Sequence, residues 1–207
     1  MTTRPKRSRG GMTAAEHEAW LKETGQYDAM VARQRQQEEE HLKREEEYRL
    51  AEAPLVDELR AAGFQVQSAW DLVNTPGSYP KAVPILLAHL PRPYPAAVRD
   101  GIARALAVPE ASCGWELLTR LYREEHEVRV KDGLAVAIAG AASGELIGDV
   151  IALARDTSQG PSRLLLLDAL RRSADPRGRA ALMDLATDPD LAKEIQVILK
   201  RLSRAKR

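Results

Sequence analysis

Apolar residues recur along residues 79–202 in two interleaved series that share one spacing. The first is a nonapeptide window. Residues 98–106 read VRDGIARAL, 130–138 VKDGLAVAI, 162–170 SRLLLLDAL and 191–199 LAKEIQVIL, in steps of 32, 32 and 29 residues. On a helix the first, fifth, eighth and ninth positions of such a window lie on one face. The fifth position is Ile102, Leu134, Leu166 and Ile195, and the eighth is Ala105, Ala137, Ala169 and Ile198. The ninth is Leu106, Ile138, Leu170 and Leu199, and the first is Val98, Val130, Ser162 and Leu191, with the serine as the one exception.

The second series lies upstream of each window. Apolar pairs occur at Leu86-Leu87, Leu117-Leu118, Val150-Ile151 and Leu182-Met183, each followed three residues on by Leu90, Leu121, Ala154 or Ala186. The steps are 31, 33 and 32 residues. Between the two series fall the turn-like stretches PRPYP (91–95), REEHE (123–127), DTSQGP (156–161) and TDPD (187–190). Two independent features with one period predict a repeat built from helical hairpins, spanning 79–108, 114–140, 145–173 and 178–202.

Upstream of residue 79 the pattern changes. PLVDELRAAG (54–63) predicts a helix that starts at Pro54 and stops at Gly63, and SAWDLVN (68–74) a short helix capped by Ser68. This pair at 54–74 reads as an N-terminal cap for the repeats. Residues 28–52 lack Gly and Pro, consist largely of strong helix formers and keep no heptad. Together with TAAEHEAWLKE (13–23), whose Thr13 and Glu16 have capping-box spacing, they predict a charged helical arm over 12–53. That arm is either a docking element for a partner or a second copy, or a mobile extension. Residues 1–11 read as a disordered basic tail.

Composition sharpens the fold class. Hydrophobic residues make up 44% of the chain and aromatic residues only 4%. A core of straight-chain and small residues suits helices better than sheets. No run approaches the ~20 apolar residues of a membrane span, and no apolar run follows the basic N-terminus. The single cysteine, Cys113, excludes an intramolecular disulfide and a multi-cysteine metal site. These features predict a cytoplasmic protein with no membrane partner.

Charge is unevenly placed. Residues 12–53 hold eleven acids and six bases, whereas 171–207 hold ten bases and five acids. Cations near helix C-termini complement the helix dipole, which accounts for part of the second excess.

A unit of two antiparallel helices with this period resembles a HEAT or HEAT-like repeat. Pro84 matches the proline such repeats carry early in the first helix. Arg99, Lys131 and Arg163 match the basic residue near the start of the second helix; Ala192 departs from it. The acid that such repeats place in the hairpin turn has candidates in Glu124, Glu125, Asp156, Asp188 and Asp190, and PRPYP has none. The resemblance covers about residues 54–202. It implies an all-α fold, an α-α superhelix of about four to five hairpins with partners bound along the second helices.

Candidate chemistry is sparse. His17, His41, His89 and His126 show no metal-ligand spacing, and HEVR (126–129) is not HExxH. Cys113 has no histidine nearby in sequence, and GAASGE (140–145) lacks the lysine of a phosphate loop. No catalytic residue, metal or cofactor is expected. Arg99, Lys131 and Arg163, at one position of successive repeats, read as a structural ladder. The outward positions of the second helices offer Asp100, Arg104, Asp132 and Asp168 as partner-binding candidates. A non-enzymatic protein-binding scaffold therefore leads. A nucleic-acid binder similar to HEAT-like DNA glycosylases is the first alternative, although no basic stripe with interleaved aromatics is evident. A bilin-lyase-like protein is the second. Self-association through residues 12–53 is compatible with each.

Overall fold

The computed structural model of the chain describes residues 12–204. The expected basic tail at 1–11 lies outside them. No strand occurs among the described residues, so the fold is all-helical. Contacts divide the chain into two compact units after Glu47.

The first unit opens with α1 (Ala14–Glu23). Its start follows from sequence: Glu16 N–H donates to Thr13 Oγ1 at 3.3 Å, and Thr13 N–H donates to Glu16 Oε2 at 2.8 Å. Helix α1 ends in a Schellman turn at residues 24–26. Gly25 sits at φ +68°, and Gln26 N–H closes onto Leu21 O at 2.9 Å. Helix α2 (Tyr27–Ala61) follows, and every residue from 32 to 47 is exposed. This stretch is a solvated helix stabilised by its own residues, as the i,i+4 pair of His41 and Glu45 at 3.1 Å illustrates.

Helix α2 continues into the second unit, and here one expectation fails. Pro54 does not start a helix but lies inside α2. The proline removes one N–H, and the carbonyl it leaves unpaired belongs to Leu50, which is 60% exposed and open to water. Burial of Leu55, Val56 and Leu59 just beyond the proline holds the helix together through that defect. The helix ends where the sequence says. Gly63, at φ +97°, completes a second Schellman turn, with Phe64 N–H on Leu59 O at 3.1 Å. The following short helix α3 (Ala69–Val73) is capped twice: Asp71 accepts from Gln67 and Ser68 N–H, and the buried Glu52 of α2 accepts from Ala69 N–H at 2.6 Å.

Four hairpins follow: α4 (Val83–His89) with α5 (Ala96–Ala105), α6 (Trp115–Glu124) with α7 (Val128–Ala141), α8 (Ile147–Arg155) with α9 (Arg163–Arg172), and α10 (Pro176–Asp184) with α11 (Ala192–Arg204). Each apolar window falls on the second helix of a hairpin. Its first, fifth and eighth positions are buried in all four, and only Leu199 at the ninth is half-buried. The second helices pack in series, α3 on α5, α5 on α7, α7 on α9 and α9 on α11. One continuous apolar cluster runs from Leu55 to Ile198.

Small residues set the spacing of that series. A Cβ on Gly101 would meet the Trp70 indole at 2.8 Å, and one on Gly133 would meet Asp100 Oδ1 at 2.7 Å. At Gly140 it would meet the backbone of Ala107 at 2.4 Å. The repeated Asp-Gly of VRDGIARAL and VKDGLAVAI is thus a close-approach device, because the glycine lets the preceding second helix come near. No described helix is long and apolar enough to cross a membrane.

Candidate binding site on the second helices

The basic residues at the start of the second helices reach forward by one hairpin. Arg99 of α5 pairs with Glu125, in the turn between α6 and α7, at 2.6 Å. Arg163 of α9 is fully buried; it pairs with Asp188 at 2.7 Å and Asp190 at 3.1 Å, in the turn between α10 and α11. Its guanidinium also donates to Ala154 O and Gly160 O within its own hairpin. The hydrogen bond from Arg163 holds the Asp188 carboxyl below the usual aspartate range. Lys131 departs from the pattern. Its ammonium donates to Glu125 O at 3.2 Å and lies 5.1 Å over the Tyr122 ring. Asp156 turns to Ser158 and Gln159 of its own loop.

The partner-binding candidates fare unequally. Asp100 is a correction: it is 3% exposed and does not face outward. Its Oδ1 accepts from Arg104 Nε at 2.7 Å and its Oδ2 from Arg129 Nε at 3.0 Å. The cause is the close approach of α7 at Gly133, which covers Asp100 and brings in Arg129, from the start of α7. A carboxylate so buried is kept by its two charged donors rather than by solvent. Arg129, which the sequence pattern did not single out, is half-exposed and completes this cluster.

Arg104 keeps an outward edge, with 31% of its side chain exposed. It borders a groove of about 230 Å³ lined by Leu72, Val73, Thr75, Gly77, Tyr79, Ala107, Val108 and Val136 as well. Three elements build this groove: the end of α3 with its following loop, the end of α5, and the middle of α7. Gly77, at φ +108°, turns the loop back, and Tyr79 anchors it by donating its hydroxyl to Ala105 O at 2.7 Å. Ser78 bonds Glu110 from the same loop. The groove therefore mixes aliphatic side chains with polar groups, and has one cationic rim residue. Arg104 and Arg129 share the single Asp100 carboxylate, and of the three only Arg104 lines the groove.

Asp132 and Asp168 lie away from this groove. Asp132 is half-buried on α7. The position that would answer Arg129 in the next hairpin is Pro161, just before α9, so Asp132 gains no equivalent of the Asp100 pairing. Asp168 binds Arg171 and, at 2.7 Å, Arg172; Arg172 also donates to Ala139 O of α7 at 2.7 Å. Asp168 thus orients an interhelical link. Its carboxyl stays below the usual range, since the two arginines outweigh the opposing effect of burial.

Two further features lie elsewhere. A groove of about 320 Å³ between α8 and α10 is lined by Gly148, Ile151 and Ala181 and bridged by Arg155 and Asp184 at 2.8 Å. His89, which sequence patterning passes over, is fully buried: its Nδ1 lies 2.6 Å from Tyr94 Oη and its Nε2 lies 3.0 Å from Glu58 Oε1. It ties α2, α4 and the PRPYP turn together. Comparison with family models, curated proteins and solved structures yields no match to this chain.

Proposed function

We propose that the protein is a non-enzymatic scaffold, a HEAT-like solenoid acting in the cytoplasm that binds an extended segment of a partner protein along its second helices. The observation that carries this reading is the groove at Leu72, Val73, Tyr79, Val108 and Val136, with Arg104 on its rim. Its aliphatic lining residues suit one or two apolar side chains of the partner, and Arg104 on the rim suits a carboxylate next to them. Serial packing of helices with one sequence period supports the solenoid, since a single hairpin cannot bury its apolar face alone.

Selection of a random peptide library against the immobilised full chain tests the proposal. Peptides with an apolar residue next to an acid should be enriched. They should be lost on the Val136→Glu and Arg104→Glu chains. Equal recovery on all three chains would reject the groove as the site.

A further inference from the structure

The outer face of α11 is a charged, exposed surface. Ile195 and Ile198 are buried on the inner face, and Lys193, Val197, Lys200, Arg201 and Arg204 form the stripe opposite. None of these four cations has an ion-pair partner among the described residues. The dipole of α11 accounts for cations in its last turn but not for Lys193 in its first. Val197, 40% exposed, sits at the centre of the stripe, with Lys193 four residues before it and Lys200 and Arg201 three and four after; Glu194, three before, is the one acid beside it.

The exposed part of α2 carries a similar arrangement with mostly the opposite sign. Leu42 is 59% exposed. Glu38 stands four residues before it, and Glu45 and Glu46 three and four after; Glu39 adds a fourth carboxylate on that side. Arg35 and Arg49 bound the stripe at its ends. Each stripe is therefore one aliphatic side chain framed by charges at helical spacing, over two turns of about 11 Å.

We propose that the α11 face takes the arm of a second copy of this chain, with Leu42 set against Val197 and the glutamates against Lys193, Lys200 and Arg201. Two such contacts, exchanged reciprocally, close a dimer. The sign and spacing of the charges select this occupant: a flat basic surface would suit many anions, whereas a central apolar residue framed by cations suits an acidic helix with a central aliphatic one.

Sedimentation velocity of the full chain tests this. At low salt the chain should dimerise, and added salt should shift it toward monomer. Glu38→Lys with Glu45→Lys, and separately Lys193→Glu with Lys200→Glu, should each weaken the dimer at least about tenfold, since pairs become like-charge contacts. All four positions are exposed, and circular dichroism reports whether each variant keeps its helix content. The two variants mixed in equal amounts should dimerise again, because each arm now meets a face of opposite charge. A full chain that stays monomeric at low salt overturns the proposal. So does a dimer unchanged by either reversal, or a mixture that fails to recover. Salt-dependent binding of duplex DNA by a monomeric chain, lost on reversal of the α11 charges, would overturn it in favour of a nucleic-acid surface.

Discussion

Asp100 of one hairpin and Arg129 of the next are joined by a hydrogen-bonded ion pair at 3.0 Å, beside the close approach of α5 to Gly133 of α7. The pair fixes Arg104, which lines the groove, through the shared carboxylate. Asp100 is buried while Arg129 is half-exposed, so solvent screens part of the attraction. A double-mutant cycle with Asp100→Asn and Arg129→Gln should give a coupling of about 1 kcal/mol in urea unfolding. A coupling near zero would mean that the pair does not join the two hairpins.

Helix spacing gives a sharper prediction. Gly140 faces the backbone of Ala107, which cannot rotate away, whereas a Cβ on Gly144 would meet nothing within 4 Å. Gly140→Ala should cost about 3 kcal/mol by forcing α5 and α7 apart. In a chain of this size that lowers Tm by roughly 6–12 °C. Gly144→Ala should leave Tm within a degree or two, on the order of a surface substitution.

Pro54 stands inside α2 and is exposed, so replacing it removes a defect without removing packing. Pro54→Ala restores an N–H for the Leu50 carbonyl, a gain partly offset by a more flexible unfolded chain. The net effect should be a stabilisation of about 1–2 kcal/mol, read as a higher urea midpoint at unchanged m-value. A loss of stability would mean that the chain requires a break at this point.

The Arg163–Asp188 pair predicts a pH dependence of defined sign. Asp188 is held below its usual pKa chiefly by the Arg163 hydrogen bond, so in the folded state it stays ionised to lower pH than in the unfolded chain. Its contribution is fully present above the usual aspartate range and is lost as pH falls through the lower folded value. Asp188→Asn should therefore cost about 1–3 kcal/mol at neutral pH, and the gap to the natural chain should narrow below about pH 4. A gap that stays constant from pH 7 to pH 3 would assign the cost to packing instead.

The hairpin alternation was legible because burial on a helix face repeats with the helix period, and Ile102, Leu134, Leu166 and Ile195 each fell where their spacing put them. Gly63 was legible as a stop because a left-handed residue is needed at such an end. The reading of Pro54 failed because propensity is local, while the burial of Leu55, Val56 and Leu59 that carries the helix through it is tertiary. Asp100 read as outward-facing because its helical angle is known from sequence, but the helix that covers it is not. Arg129 lies 29 residues away in the next hairpin, and no spacing rule within one repeat reveals the pair. For the same reason, the ladder bases and the candidate turn acids were visible, but not that Arg99 and Arg163 take their acids from the next hairpin, while Lys131 stays within its own. The groove depends on how the 74–80 loop folds back onto α5 and α7, which no periodicity encodes.

Amide shift mapping of the isotope-labelled full chain, titrated with a peptide selected on the natural chain, tests the binding account most directly. The account predicts that perturbed amides cluster at Leu72–Tyr79, at Arg104–Val108 and around Val136. Perturbations centred instead on Gly148, Arg155, Arg177 and Asp184, or spread without a cluster, would contradict it.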